Sequence, residues 1–348
     1  QLTSKGKERE MSDVTNAGSQ AEGGNKVTAF IRREIGRVTA LASLVVIFTF
    51  FAVMRPVFAS WANVSGGILM STTVIGLMAI GVTFVIITGG IDLSVGTSMA
   101  LVGVITGKTV MAMNLNVWSG ILLGVVVGTI LGAINGLLIT VLKLPPFIAT
   151  LATMKGAQGL ALITSDLKPI LFTTDVQGWD SIAQGNIIPN LPNAVLILLV
   201  AAIVASIILN KTVLGRYTFA IGSNSEATKL SGVKVDRWLV AIYALCGFFV
   251  GLSAVVMTSR LGSAQPDLGL GYELEAIAAV IIGGTSLLGG KGTISGTIIG
   301  ALIMAVLING LRILELQQEW QYVVVGAVIL LAVYGDNVRR RRAGETTH

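Results

Sequence analysis

The stretch VIITGGIDLSVGTS, residues 85–98, interrupts two apolar runs with glycines and a single carboxylate. So short a break predicts a tight chain reversal, because glycine tolerates positive φ and close backbone approach. Asp92 stands just before the second run, where a carboxylate can accept N–H groups of a helix's first turn and face its positive dipole end. The alternative is a polar element exposed to a partner or a pathway, and both interpretations stay open on this stretch alone.

The composition around this stretch indicates that lipid is the main solvent. The 348 residues are 53% hydrophobic and 12% charged, and the mean hydropathy is +0.82. Soluble domains carry about 25% charged residues, so this chain has too few to cover a water-facing surface. Apolar stretches of about 20 residues recur, which is the helix length that crosses a hydrocarbon core. The sequence predicts an all-α polytopic integral membrane protein.

About ten transmembrane helices with glycine-rich breaks are predicted. They lie at residues 38–54, 66–88, 93–113, 117–142, 147–164, 194–209, 238–258, 273–288, 293–311 and 319–334. An even number of crossings puts both termini on one side. The predicted domains are a disordered N-terminal tail (1–37), a transmembrane domain (38–335) with an inner loop (210–237), and a basic C-terminal tail (336–348).

The distribution of basic residues orients this topology. Fifteen fall on the side of the termini: Lys26, Arg32, Arg33, Arg37, Lys143, Lys211, Arg216, Lys229, Lys234, Arg237, Lys291, Arg339, Arg340, Arg341 and Arg342. Six are assigned to the other side: Arg55, Lys108, Lys155, Lys168, Arg260 and Arg312. By the positive-inside rule both termini are cytoplasmic. The net charge of +6 then reflects topology, and no nucleic-acid partner is expected.

Several classes of site lack the residues they need. Cys246 is the single cysteine and His348 the single histidine, which excludes an intrachain disulfide, a histidine-based triad and a zinc site of the usual kind. The sequence GGKG resembles part of a phosphate loop, but Thr285 replaces the first glycine and Gly292 follows Lys291. We therefore expect no metal, cofactor or ATP site on this chain.

A second glycine break and one polar loop complete the pattern. VIIGGTSLLGGKGTISGT, residues 280–297, again places paired glycines between apolar runs. We interpret the similarity of the two glycine-rich stretches as two examples of the same kind of tight turn. Internal duplication is the alternative. In the inner loop, Ser223 or Asn224 is predicted to cap a short helix that ends at Gly232. Such a helix could rest on anionic lipid or dock into a soluble partner.

Three ordered motifs carry a resemblance to a known family. GSNSEATKLSGV (222–233), GGIDLSVG (89–96) and IGGTSLLGGKGTISGTIIGALI (282–303) resemble segments of the ribose-type sugar permeases of bacterial ABC importers. With the ten-span layout, the resemblance covers residues 38–335. It implies a multi-pass protein of the bacterial plasma (inner) membrane that is a transport subunit and not an enzyme.

The resemblance also implies partners and site residues. The partners are a second permease copy or close paralogue, a cytoplasmic ATP-binding subunit that holds ATP and magnesium, an extracytoplasmic sugar-binding protein and the lipid bilayer. The residues expected to couple to the ATPase are Arg216, Gly222, Asn224, Glu226, Ala227, Ser231 and Gly232. Those of the glycine turns, expected to form part of a gate, are Gly89, Gly90, Asp92, Ser94, Gly96, Gly283, Gly284, Gly289 and Gly290.

The sugar route is expected among polar residues within the spans. The main candidates are Thr72, Thr73, Asn135, Gln158 and Asn309, and further ones are Thr83, Thr150, Thr153, Glu273 and Glu275. Hydrogen bonds between helices are the alternative role for these groups. Two other functions stay open: a branched-chain amino acid ABC permease, and a secondary transporter, which would need buried carboxylates or histidines where the sequence shows no central acidic pair.

Overall fold

The computed structural model describes residues 39–172 and 178–342. The predicted N-terminal tail, residues 1–37, lies outside the described residues, as do residues 343–348 of the predicted C-terminal tail.

The described chain is mostly helical. Helix α1 covers Thr39–Met54, and a 3-10 turn covers Pro56–Ala59. The next helix is continuous over Trp61–Ile87: α2 (Trp61–Asn63), a π-helical stretch (Val64–Leu69) and α3 (Met70–Ile87). The others are α4 (Val95–Ala112), α5 (Val117–Thr140), α6 (Pro146–Thr164), α7 (Ser181–Gln184), α8 (Asn193–Lys211), α9 (Val213–Ser223), α10 (Ser225–Leu230), α11 (Val235–Leu261), α12 (Tyr272–Ile282), α13 (Ile294–Ile313) and α14 (Gln318–Arg342).

Eight helices within the described ranges are long and apolar enough to cross a membrane. A helix stands at each of the ten predicted positions. Two of them are shorter than the eight spanning helices: α1 covers only Thr39–Met54, and α12 has only 11 residues. At about 1.5 Å per residue, α12 covers roughly half of a 30 Å hydrocarbon core. A multi-pass helical membrane protein is therefore confirmed, whereas ten complete crossings and the side of the termini stay predictions.

Helix α3 forms the centre of the bundle. In the most apolar window of the Trp61–Ile87 span, 94% of the residues are buried, compared with none in the corresponding window of α14. Helices α8, α11, α12 and α13 all pack against α3. Residues at both ends of α3 are therefore connected to most of the bundle.

A glycine seam joins α5 to α11 at backbone distance. Glycine recurs every fourth residue along one face of α5. A Cβ atom built on Gly128 would lie 2.8 Å from the Gly251 Cα atom, and one built on Gly136 would lie 2.6 Å from the Val240 Cα atom. Small residues at such a seam let two helices gain van der Waals contact in lipid, where no hydrophobic force drives them together.

Three local features differ from the sequence expectation. The inner loop contains two helices, α9 and α10, instead of one. Helix α14 continues to Arg342, so the start of the predicted basic tail is helical. Two short strands, β1 (Ile170–Leu171) and β2 (Ser263–Ala264), pair antiparallel and fasten the segment after α6 to the end of α11.

Candidate functional site at the junction of two glycine turns

Both glycine turns and the inner loop meet at the end of α3. The Gly290 N–H donates a hydrogen bond to the Ile87 carbonyl at 2.8 Å. Gly222, at the end of α9, lies against the same carbonyl, and a Cβ atom on it would come within 2.6 Å of the Gly290 nitrogen. Three segments far apart in sequence thus form one backbone junction, with no space for a side chain at Gly222.

The conformation of the junction depends on glycine at two positions in particular. Gly89 has φ +80° and Gly289 has φ +87°, a region that L-residues rarely adopt. A Cβ atom on Gly289 would also lie 2.9 Å from the Gly89 nitrogen and from the Gly222 oxygen. The two turns are therefore held against each other and against α9.

Three of the other predicted turn glycines have separate surroundings. Gly90 faces the Tyr243 hydroxyl, Gly96 packs against the Gly269 backbone and the Glu273 carboxylate, and Gly283 packs against Gly296. Gly284 and Gly290 have φ +89° and +72°. The predicted turn glycines thus fall into the junction with the inner loop, to which Gly290 belongs, and three neighbouring contacts with other segments.

Asp92 lies buried in the first turn, with 2% of its surface exposed. One carboxylate oxygen accepts hydrogen bonds from the Ser94 N–H at 2.9 Å and the Ser94 hydroxyl at 2.7 Å. The Asn135 amide donates to the Ser94 hydroxyl at 2.8 Å and lies 3.4 Å from both carboxylate oxygens. Ser94 precedes the first residue of α4, so these hydrogen bonds stabilise the chain reversal itself. The sequence had instead predicted that the carboxylate would accept N–H groups from the first turn of the helix.

Burial raises the pKa of Asp92 above its ordinary value, and the hydrogen bonds from Ser94 and Asn135 oppose that rise. Desolvation disfavours a charged carboxylate, whereas donors aimed at it favour the charge. The group is therefore stabilised by its donors but remains in an environment that favours proton uptake.

Two further helices fix the same turn through the carbonyl of Ile91. The Thr150 hydroxyl on α6 donates to it at 3.3 Å, and the Tyr243 hydroxyl on α11 at 3.4 Å. Thr150 was among the sequence candidates for the route, but Tyr243 was missed. The only available signal was a phenol within an apolar helix, which commonly finds a polar partner when buried.

The short helix α10 projects from the bundle next to the junction. The Asn224 side chain accepts a hydrogen bond from the Ala227 N–H at 2.9 Å, and Gly232 follows the helix with φ +83°. The predicted cap and stop are thus both confirmed. Thr218 and Ile221 anchor α9 by burial, whereas Leu230 on α10 is 87% exposed.

The predicted coupling residues are placed on these two helices and their boundaries. Arg216, Glu226, Ala227 and Ser231 are exposed, and the Ser231 hydroxyl donates to the Ala227 carbonyl at 2.9 Å. Since Gly222 is the backbone contact with both turns, any displacement of α10 has a direct structural connection to the start of α4 and to the segment before α13.

The main candidates for the sugar route do not converge on one opening. The hydroxyls of Thr72 and Thr73 donate to carbonyls one turn earlier, at 2.8 and 3.0 Å. Asn309 accepts from Asn63 at 2.9 Å, Asn135 holds the Asp92 turn, and Gln158 accepts from Lys155 at 3.2 Å. These hydrogen bonds are of the kind that stabilises a single helix or joins neighbouring helices.

The further candidates behave similarly. Thr83 donates to the Ala79 carbonyl and contacts the Thr297 hydroxyl, each at 2.7 Å, and Thr153 donates to the Ala149 carbonyl at 3.0 Å. Glu273 is buried and accepts from the Gly271 N–H at 3.1 Å. Glu275 lies in the same first turn of α12.

A small cleft opens elsewhere, between α4, α11 and the loop after β2. Its polar groups come from Thr258, Ser263 and Gln265, and none of the predicted route residues lines it. Within residues 39–172 and 178–342, no three histidine, cysteine or acidic side chains are grouped closely enough to hold a metal ion.

Comparison with known proteins identifies the family. The model described as "Branched-chain amino acid transport system / permease component" matches residues 65–333. A ribose import permease protein of Bacillus subtilis (strain 168) is 44% identical over 88% of this chain and 93% of its own length. The Escherichia coli (strain K12) ribose import permease protein is 39% identical, over 86% and 94%. An L-arabinose transport system permease protein of that strain is 36% identical, over 95% and 98%.

No solved structure matches the chain significantly. The family model covers more than half of the chain, and the relatives align along nearly their whole length. The chain therefore belongs to the branched-chain amino acid transport system / permease component family, as a multi-pass membrane permease component and not an enzyme.

Proposed function

We propose that the chain is the membrane-spanning permease subunit of an ABC importer that moves a monosaccharide, a ribose-like pentose or a hexose, inward across the bacterial plasma (inner) membrane. The relatives that cover most of the chain are named for ribose and arabinose. ATP and magnesium bind to a partner subunit, and this chain holds no cofactor.

The contact among Gly222, Ile87 and Gly290 carries this proposal. Helix α10 presents Glu226 and Ala227 to solvent, where a groove of the ATP-binding subunit receives them. Movement of that subunit displaces α9, and the junction transmits the displacement because its backbone atoms are already in contact. The turns at Gly89 and Gly289 then change the positions of α4 and α13, which is a two-state rearrangement biased by ATP and by the loaded sugar-binding protein.

The proposed assembly contains two permease chains, identical or closely related, with a pathway between them. All ten helical segments contribute to the crossing, and both termini are cytoplasmic, which puts α10 on the ATPase side. The extracytoplasmic sugar-binding protein docks on the opposite side, where the segment after α6 is fastened by β1 and β2.

The test is reconstitution with the ATP-binding subunit and the sugar-binding protein of the proposed importer. In liposomes we expect ribose or arabinose, with the binding protein, to stimulate ATP hydrolysis and to enter the vesicles. Glu226→Lys combined with Ala227→Trp should abolish both responses without lowering insertion, because it adds bulk and reverses charge on the docking face. Lys211→Glu, also on an exposed residue of this side but at the end of α8, is the matched control. Normal stimulation and uptake in the double variant would contradict the coupling assignment.

Branched-chain amino acid transport is the second candidate, because the family description names that substrate. The same liposomes distinguish the candidates when leucine and an amino acid binding protein replace the sugar and its binding protein. Stimulation by leucine with no response to either sugar would overturn the proposed substrate class.

A further inference from the structure

An exposed turn precedes the spanning helix α8. It covers residues 186–190, all of which are exposed, and it is called the isoleucine turn below. Ile187 is 79% exposed and Ile188 is 46% exposed. Residues 181–210, which include this turn and all of α8 except Lys211, contain no charged residue and no histidine. The turn therefore presents apolar side chains without the charges that usually cover a water-facing loop.

Hydrogen bonds hold the isoleucine turn against the start of α8. The Ile187 N–H donates to the Asn193 side-chain oxygen at 2.9 Å, and the Asn193 side-chain amide donates to the Ser181 carbonyl at 2.9 Å. The Leu191 N–H donates to the Ile188 carbonyl at 3.0 Å. These backbone groups have partners within the protein, as a segment requires where water is scarce.

The isoleucine turn is also bonded to a second spanning helix. The Trp61 indole N–H donates to the Asn190 carbonyl at 3.1 Å, and Trp61 is the first residue of the Trp61–Ile87 span. Asn193 is the first residue of α8. Because this bond joins the starts of the two helices, both begin at the same membrane surface, and the turn lies at that boundary. Trp61 is itself 54% exposed, and tryptophan is enriched at such boundaries because its ring is apolar and its N–H is polar.

The chemistry of this surface fits lipid better than a soluble protein. The apolar surface continues into α8, where Leu199, Val200 and Ile203 are exposed on a helix that is long and apolar enough to cross the membrane. A soluble partner is usually oriented by complementary charges, and residues 181–210 supply none. Acyl chains need no such charges, so the bilayer is the occupant that the turn favours.

We infer that the isoleucine turn and Trp61 form an interfacial anchor that binds the phospholipid bilayer surface. Ile187 and Ile188 insert among the acyl chains next to the headgroups, and the Trp61 indole lies at headgroup level. The anchor fixes the depth at which the Trp61–Ile87 helix and α8 enter the membrane. It depends on the membrane location of the chain and not on which substrate the chain carries.

Fluorescence quenching in phospholipid vesicles tests this anchor. The full-length chain carries Cys246→Ala as background, because Cys246 is buried and is the single cysteine. Ile187→Cys, at an exposed position, and the matched control Asp180→Cys are labelled with a nitrobenzoxadiazole fluorophore. Asp180 is also exposed and lies between α6 and α8, but it is charged, and its side chain makes no capping hydrogen bond. The quenchers are phosphatidylcholines that carry a nitroxide on the acyl chain, either near the headgroup or near the chain end.

We expect the headgroup-proximal nitroxide to remove about half of the fluorescence at position 187 and less than about a tenth at position 180, because an interfacial segment buries its apolar groups only roughly 5–10 Å deep. The chain-end nitroxide should quench position 187 less. Equal quenching at the two positions, no quenching at position 187, or stronger quenching from the chain ends would each overturn the inference.

Two outcomes would assign the isoleucine turn to a protein contact instead, and each would overturn the anchor. The first is shielding of position 187 that appears only when the sugar-binding protein is added. The second is a disulfide between two copies of the unlabelled Ile187→Cys chain.

Trp61→Phe tests the second part of the anchor. Phenylalanine keeps an apolar ring but lacks the N–H that bonds the Asn190 carbonyl. We expect quenching at position 187 to fall about twofold, because one hydrogen bond shifts an equilibrium by roughly that factor or more. Trp118→Phe, on an 80% exposed tryptophan of α5, should leave it unchanged. Equal quenching in the two variants would overturn the anchor as a unit of both segments.

Discussion

Replacing Asp92 by asparagine and by alanine separates the role of its hydrogen bonds from that of its charge. One carboxylate oxygen accepts both bonds from Ser94, and an asparagine carbonyl in the same position can accept both. Asp92→Asn loses mainly the two longer contacts with Asn135, at 3.4 Å, and it no longer buries a charge. Asp92→Ala removes every one of these bonds.

The magnitudes follow from the donors that each variant leaves without a partner. A hydrogen bond to a charged group contributes about 1.5–3 kcal/mol, and a buried donor without a partner costs about 1–3 kcal/mol. Alanine affects the Ser94 N–H and the Ser94 hydroxyl, while removal of the buried charge offsets part of the loss. We expect Asp92→Ala to lower the free energy of unfolding by about 2–4 kcal/mol and Asp92→Asn by less than about 1 kcal/mol.

Thermal unfolding of the purified complex in detergent, together with sugar uptake in liposomes, measures both effects. If the turn serves only to reverse the chain, Asp92→Asn keeps full uptake. If uptake is lost at unchanged stability, the negative charge itself takes part in gating. Equal destabilisation by asparagine and alanine would refute the reasoning, because it would show that the charge, and not the acceptor geometry, stabilises the turn.

Three further predictions concern the same structure. Because burial raises the pKa of Asp92 in the folded protein above its ordinary value of 3.8, its contribution to stability increases as pH falls through the folded pKa towards that ordinary value. The stability gained by wild type between pH 7 and about pH 4 should therefore exceed that of Asp92→Asn, and an equal gain would contradict the burial effect. Gly132→Leu should destabilise by about 3 kcal/mol or more, since a side chain there meets the Tyr243 carbonyl and the α11 backbone; Gly326→Leu, in open space on α14, is the control, and equal melting temperatures would refute the close seam. Gly222→Ala should uncouple ATP hydrolysis from uptake, because its methyl group meets backbone atoms of the junction, and unchanged coupling relative to Gly326→Ala would argue against the junction as the transmitting contact.

Hydropathy and glycine placement were sufficient to predict the helical class and the position of each long helix. A segment in lipid must satisfy its backbone hydrogen bonds internally, so an apolar run near 20 residues has few alternatives to a helix. The cap at Asn224 and the stop at Gly232 were equally predictable, because capping depends on residues within one turn. The short length of α12 was not predictable from the sequence. The apolar run continues past Ile282, but the segment that follows is held in a turn by its contacts in the bundle.

The contacts of the site depended on tertiary packing. Motif order alone identified Gly89, Gly222 and Gly289 as separate candidates, but their meeting at Ile87 requires helices that are distant in sequence to pack side by side. The sequence by itself determined the solvent, the helices and their caps, because these depend on local and periodic patterns. The junction at Ile87 was decided only by the tertiary structure, because it consists of close approaches between helices that no local pattern encodes.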